Sequence, residues 1–251
     1  MQYALLGSGR LARHFYFYFQ TLDLPVHQWS RNDDPLFNTF ADVLDSTERL
    51  RRTLADATHV LLAVSDSAIA PLAEKVRTVA EPDEILHFSG ALAVEGLQSA
   101  HPLMTFGDRL ETLEWYHAIP FLIEQGEKFE ELLPGLSNPH YEIPTGAKGY
   151  YHALCSLAGN STYMLWQKIG DQFENELGLP RDLLRPFLHQ VVTNSSLSGE
   201  KNFTGPVARG DWDVVRKHLA SLREKPELLR AYENYLHMAG TSGIDLPKDL
   251  P

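Results

Sequence analysis

The segment Gly7-Ser8-Gly9-Arg10-Leu11-Ala12 constrains this chain more than any other feature, because of where it stands. It follows Tyr3 to Leu6, a short apolar run of strand type, and it opens Arg10 to Thr21, an amphipathic stretch of helical length. The spacing is G-x-G-x-x-G/A. In a strand–turn–helix, Gly7 permits the tight turn, Gly9 lets backbone approach a pyrophosphate, and Ala12 allows helix and strand to pack closely. The N–H groups and partial positive charge of the helix start then face phosphates. The expected ligand is a dinucleotide, with Gly7, Ser8, Gly9, Arg10 and Leu11 around it.

The pattern continues in kind. Val26 to Trp29, His59 to Val64 and Ile85 to Phe88 read as buried strands, with Met104 to Phe106 and Tyr116 to Ile119 as later candidates. Arg49 to Asp56 and Ser67 to Val79 read as helices, the second opened by Ser65 and Asp66. Strands alternating with helices give βαβ units and a parallel sheet. From Ala147 the pattern is helical: to Leu177, then Leu183 to Leu197, Asp211 to Arg223 and Pro226 to Ala239. Tyr141 to Gly146 reads as a linker. The expected fold is α/β: a Rossmann-type, mostly parallel sheet over residues 1–144, then an all-helical domain over 145–251.

Charge narrows the partners. With 22 Lys+Arg and 33 Asp+Glu, the net charge is 22 − 33 = −11. That excludes a broad basic footprint for nucleic acid and disfavours an anionic membrane surface. No apolar stretch reaches the roughly 18 residues of a membrane span, and the start shows no signal-peptide pattern. Cys155 is the one cysteine, so no intrachain disulfide forms and a reducing, cytoplasmic setting is expected. The 11 histidines show no ligand pattern, and no metal is expected.

The second strand ends Trp29-Ser30-Arg31 where an NAD-binding chain offers an acid to the ribose 2′-OH. Two readings stand. Arg31 grips a 2′-phosphate with help from Ser30 and Arg10, or Arg31 is solvated and Asp33 or Asp34 binds ribose. The first makes the expected cofactor NADP(H). Val64, Ser65 and Asp66 after the third strand, and Ser89 and Gly90 after the fourth, complete its expected contacts; Gly90 would let backbone approach the nicotinamide. Asp33-Asp34 and the acids Glu124 to Glu131 otherwise read as solvated faces.

Lys148, His152, Ser156 and Asn160 recur every four residues at the start of the helical part, on one helical face. Lys148 with His152 is the candidate reactive pair, because an ammonium stabilises and protonates the alkoxide left by hydride delivery to a carbonyl. Asn160, Asn194 and Ser195 are candidates for binding a hydroxy acid. The stretch Thr204 to Asp211 reads as a loop in which Arg209 either clamps a carboxylate or pairs with Asp211.

Together the glycine loop, His87-Phe88-Ser89-Gly90-Ala91-Leu92, His101-Pro102-Leu103-Met104-Thr105-Phe106, Lys148-x-x-Tyr151-His152-Ala153 and Thr204-Gly205-Pro206-Val207-Ala208-Arg209-Gly210-Asp211 resemble the Rossmann-like proteins that carry a DUF2520 domain. These are similar in architecture to the 6-phosphogluconate dehydrogenase-like clan. The resemblance implies NADPH-dependent reduction of a small keto acid, best matched by 2-dehydropantoate giving pantoate. It also implies a homodimer through the helical part, where Leu154, Leu157, Met164, Leu165 and Trp166 crowd one helix. Ketopantoate reductases place a catalytic lysine early in the first helix after the linker and asparagine a turn later. Lys148 matches the lysine; His152 stands where the asparagine is expected. Pyrroline-5-carboxylate reductases lack such a lysine, since a protonated imine needs no acid, so Lys148 favours a carbonyl over an imine.

Overall fold

The computed structural model describes residues 1–32, 34–196 and 203–250. The chain divides into two compact units, Met1–Ser161 and Thr162–Pro251.

The first unit is built on a seven-stranded sheet of order β2-β1-β3-β4-β5-β6-β7. The strands are β1 Tyr3–Leu6, β2 Val26–Trp29, β3 His59–Leu62, β4 Glu84–His87, β5 Gln98–Pro102, β6 Phe121–Glu124 and β7 His140–Ile143. All neighbours run parallel except β5 and β6. Its helices are α1 Arg10–Thr21, α2 Ser46–Leu54, α3 Asp66–Arg77, α4 Leu113–His117, α5 Phe129–Leu132 and α6 Lys148–Ser156. The register aligns Leu6 with Trp29 and with Leu62, and Leu62 with His87. Four strands therefore stop level with one another, and their turns open on one edge.

Period two sorts the core. Tyr3 and Leu5 of β1 pack with Phe15, Tyr18 and Phe19 of α1 on one face. Ala4 and Leu6 pack with Leu50, Leu54, Ile69 and Val76 of α2 and α3 on the other. The aromatic run of α1 thus serves packing: Tyr3 stacks on Phe19 at 4.7 Å and Phe15 meets Phe88 edge-on at 4.7 Å. Polar tips are satisfied, with the Tyr18 hydroxyl donating to Asn138 Oδ1 at 2.8 Å.

The edge of the sheet departs from expectation. Tyr116 to Ile119 is not a strand: Thr112 caps α4 by accepting from the Trp115 N–H, and Tyr116 is fully buried in that helix. The fifth strand is Gln98–Pro102, ahead of Met104 to Phe106. The expected linker contributes Tyr141 to Ile143 to β7, an exposed edge strand without apolar alternation. The units also part later than position 144, because α6 is fastened to the sheet by Lys148.

Among the described residues, the regular elements of the second unit are all helical: α7 Thr162–Asn175, α8 Leu184–Ser196, α9 Pro206–Arg209, α10 Trp212–Ser221 and α11 Pro226–Thr241, with a short 3₁₀ turn Arg181–Leu183. Leu197 lies outside the described residues. Pro206–Arg209 turns part of the expected loop into helix, with Pro206 at its start and left-handed Gly210 at its end. Val207, Val215, Leu236 and Ala239 form the core of α9 to α11. Tyr163, Met164, Phe187 and Val192 of α7 and α8 are more than half exposed.

Candidate functional site

A cleft of about 590 Å³ lies where β1, β2 and β3 end. Gly7 has φ +149°, and a Cβ there would sit 2.1 Å from the Ala63 carbonyl oxygen, so only glycine lets the turn pass β3. The Gln28 side-chain amide donates to Gly7 O at 3.1 Å and pins the turn. At Gly9 a Cβ would meet nothing within 4 Å; it would stand in open space at the head of α1. No side chain caps α1 and no acid occupies its first turn. Its first N–H groups therefore remain available to an anion.

Nine expected residues line this one cleft: Gly7, Ser8, Gly9, Arg10, Leu11, Ser30, Arg31, Val64 and Ser65. Their roles differ in detail. Ser30 is buried and its hydroxyl donates to Asn32 O at 2.9 Å while accepting from Asn38 Nδ2 at 3.2 Å. It shapes the turn rather than offering a proton to a phosphate. Arg31 is exposed and, among the described residues, makes no hydrogen bond or ion pair. Arg10 lines the cleft but is paired with Asp108 at 2.7 Å. Asp34 caps the turn Pro35–Phe37, and Asp33 lies outside the described residues. Ser65 occupies the N-cap position of α3 without a side-chain cap bond, and Asp66 is exposed in the first turn.

Sequence reasoning missed Lys75. It lines the cleft with its ammonium 5.5 Å from the centroid of the Trp29 ring, a cation–π distance. The signal was available: Ala68, Pro71, Leu72 and Lys75 are spaced i, i+3, i+4, i+7 and form the wall that α3 presents.

Lys148 lies elsewhere. Its side chain is 3% exposed, hydrogen-bonded to Ser99 Oγ and 3.3 Å from Glu124 Oε1. Ser99 in turn donates to Glu124 at 3.0 Å. Burial pushes the lysine pKa down, against the opposing pull of Glu124. Burial pushes Glu124 up, but hydrogen bonds from Thr145, Ser99 and Lys148 and the lysine charge outweigh it, leaving the carboxyl below its ordinary range. Glu124 is thus a partly buried partner of Lys148 and not part of a solvated acidic face. An ammonium held in this way differs from the open proton donor expected at position 148. His87 is buried nearby. Burial and then the Lys148 charge lower it to about 4, its Nδ1 accepts from the Ser89 N–H, and its Nε2 has no partner among the described residues.

One turn along α6, His152 faces a different group. A Cβ on Gly90 would lie 2.8 Å from Cδ2 of both His101 and His152. Two imidazoles thus close on the Gly90 turn. The rings sit edge to face with centroids 5.8 Å apart, and His101 Nδ1 is hydrogen-bonded to the Tyr151 hydroxyl at 2.8 Å. Burial, then His152 and Lys148, lower His101 to about 4. Both histidines line a cavity of about 390 Å³ that also takes in Thr105, Cys155 and Asn160. Ser89 Oγ accepts from the Ala91 and Leu92 N–H groups and holds the Gly90 turn.

In the second unit, Asn194 accepts from Gln190 at 2.7 Å and Ser195 donates to Val192 O at 2.8 Å, both on α8. Arg209 is paired with Asp211 at 2.9 Å, which realises the second of its two readings. Among the described residues no group of three or more His, Cys, Asp or Glu is arranged to hold a metal, and no helix is long and apolar enough to cross a membrane.

A glycine turn between the first strand and helix of a mostly parallel sheet, with a cleft at the strand ends, defines the Rossmann-like class. Residues 119–237 match the family described as domain of unknown function (DUF2520). No curated protein matches the sequence. Among solved structures, the chain is similar to a candidate NADP oxidoreductase from Bacteroides fragilis at 20% identity, covering 95% of this chain and 97% of that one with a TM-score of 0.72. It is similar in fold to a pyrroline carboxylate reductase from Plasmodium falciparum with NADP bound, at 12% identity, 95% coverage of each chain and a TM-score of 0.57. It is similar also to a reductive aminase from Aspergillus terreus in complex with NADPH and ethyl levulinate, at 15% identity, 97% and 94% coverage and a TM-score of 0.58.

Proposed function

We propose that this protein is an NADP-linked oxidoreductase that reduces a small keto acid. The observation that carries the reading is the convergence of nine expected cofactor residues on one cleft at the level ends of β1, β2 and β3. The cleft fits a phosphorylated dinucleotide: α1 offers uncapped N–H groups, and Arg31 and Lys75 supply cations for a 2′-phosphate. NADPH, when bound, supplies a hydride. The chain's residues hold the pyrophosphate at Ser8 to Leu11, and the side chains after β2 and on α3 select the phosphorylated ribose. His152 remains the candidate proton source, and Asn160 the candidate substrate contact in the same cavity. The specific substrate, 2-dehydropantoate giving pantoate, rests on the family resemblance. Rescue of a pantothenate auxotroph lacking ketopantoate reductase, with NADPH consumption on a keto-acid panel, tests it; no turnover of any keto acid would overturn the reading.

One observation favours a second reading, reduction of an imine. Lys148 is committed to Glu124 and Ser99, so its charge no longer argues against an iminium. The fold likeness to a pyrroline carboxylate reductase and a reductive aminase agrees with this reading. Including a cyclic imine in the panel separates the two.

A further inference from the structure

We propose that His101 and His152, the two rings that flank Gly90, receive the reacting oxygen of the substrate, with His101 a neutral hydrogen-bond donor oriented by Tyr151 and His152 the proton source. The proposal rests on the oxidoreductase reading above and deepens it.

Three observations carry it. The Gly90 turn follows β4, whose end is level with the strands that form the cleft, since Leu62 pairs with His87. A dinucleotide lying outside the carboxyl ends of this sheet extends along that edge. Next, Cδ2 of each imidazole stands 2.8 Å from where a Gly90 Cβ would sit, and both rings line a cavity of about 390 Å³, small-molecule size. Finally, Tyr151 holds His101 Nδ1 at 2.8 Å. With the tyrosine donating, the single ring proton of neutral His101 sits on Nε2, the atom beside the Gly90 turn. Burial keeps His101 uncharged at neutral pH and keeps the Tyr151 hydroxyl protonated.

A neutral imidazole is suited to polarising a carbonyl. The carbonyl carbon gains a hydride with its electron pair from NADPH, which is oxidised to NADP⁺. The π pair moves onto oxygen, where the His101 N–H stabilises it. That oxygen then takes a proton from His152, breaking a ring N–H bond, and water restores the proton. The titratable groups around the pair are Tyr151, Lys148 and Cys155 on α6 and Asp66 on α3. In this scheme Lys148 is a positioning residue that fastens α6, and Tyr151 positions His101.

The test uses the full chain, with NADPH binding followed by fluorescence and turnover followed on pyruvate, glyoxylate and 2-dehydropantoate across pH 5 to 9. His152→Asn and His152→Gln should each lower kcat about 10²–10⁴-fold, with NADPH affinity within about threefold. His101→Asn should lower kcat about 10²–10³-fold. Tyr151→Phe should lower kcat less than His101→Asn while leaving KM nearly unchanged. Tyr150→Phe, an exposed neighbour on the same helix, should change nothing. Retention of wild-type kcat and pH profile by both His152 variants, with NADPH still bound, would overturn the proposal while leaving the oxidoreductase reading intact. A wild-type protein that binds NADPH but reduces none of the three carbonyls would overturn the proposal together with the keto-acid reading.

Discussion

Buried Lys148 and Ser99 and partly buried Glu124 form a charged group whose members depend on one another. Removing one partner of such a pair strands the other, which typically costs about 3–5 kcal/mol. Lys148→Met should therefore destabilise the protein by about that amount in urea unfolding, and adding Glu124→Gln should recover much of it. A loss below about 1 kcal/mol in the single variant would show that the pair is not sequestered. The histidines set the acid limit. His87 and His101 titrate at about 4 when folded, against an ordinary value of 6.5. The unfolded chain then binds the extra protons, so their contribution is complete above about pH 6.5 and declines as pH falls toward 4. Urea midpoints should drop between pH 7 and pH 5, and His87→Gln should flatten that drop. The sequence located Lys148 by its helical spacing but hid Glu124, which heads an acidic run and becomes distinctive only when β6 lies beside β5.

At the scale of elements, the proposed function makes α3 and the end of β2 the selectors of the cofactor. Arg31 is unpaired among the described residues and Lys75 leans on Trp29. Charged hydrogen bonds contribute roughly 1.5–3 kcal/mol, so NADPH should bind about 10- to 150-fold more tightly than NADH. Arg31→Asp should reverse that preference, and Lys75→Met should weaken NADPH several-fold while sparing NADH, both read by fluorescence titration. Equal affinity of the wild type for the two cofactors would contradict this assignment. Elements with strong periodicity were legible in full: β1, α1 and β2 have the bounds that their patterns imply. Those governed by tertiary pairing were not. β7 is exposed over His140 to Glu142 and has no alternation to read. The pair of rings at Gly90 was equally hidden, since His101 and His152 come together only through the β5–α6 contact.

For the whole molecule, the question is what covers α7 and α8. Tyr163, Met164, Phe187 and Val192 are each more than half exposed. Side chains of this kind bury about 1.5–3 kcal/mol each on transfer from water, which favours association. Light scattering should give twice 28.3 kDa at micromolar concentration, and Met164→Glu with Val192→Glu should return the single-chain mass. A wild-type mass of one chain would rule against the homodimer.

The level ends of β1, β2, β3 and β4 bear on how such a protein diversifies. Each turn beyond Leu6, Trp29, Leu62 and His87 begins where the paired ladder has stopped. Lengthening or recoding the stretch after β2 alters what the edge recognises without shifting the register of any strand. The sheet acts as a fixed socket and the turns as interchangeable fittings. On the proposed reading, cofactor choice beyond β2 and chemistry beyond β4 are therefore free to change independently within one scaffold.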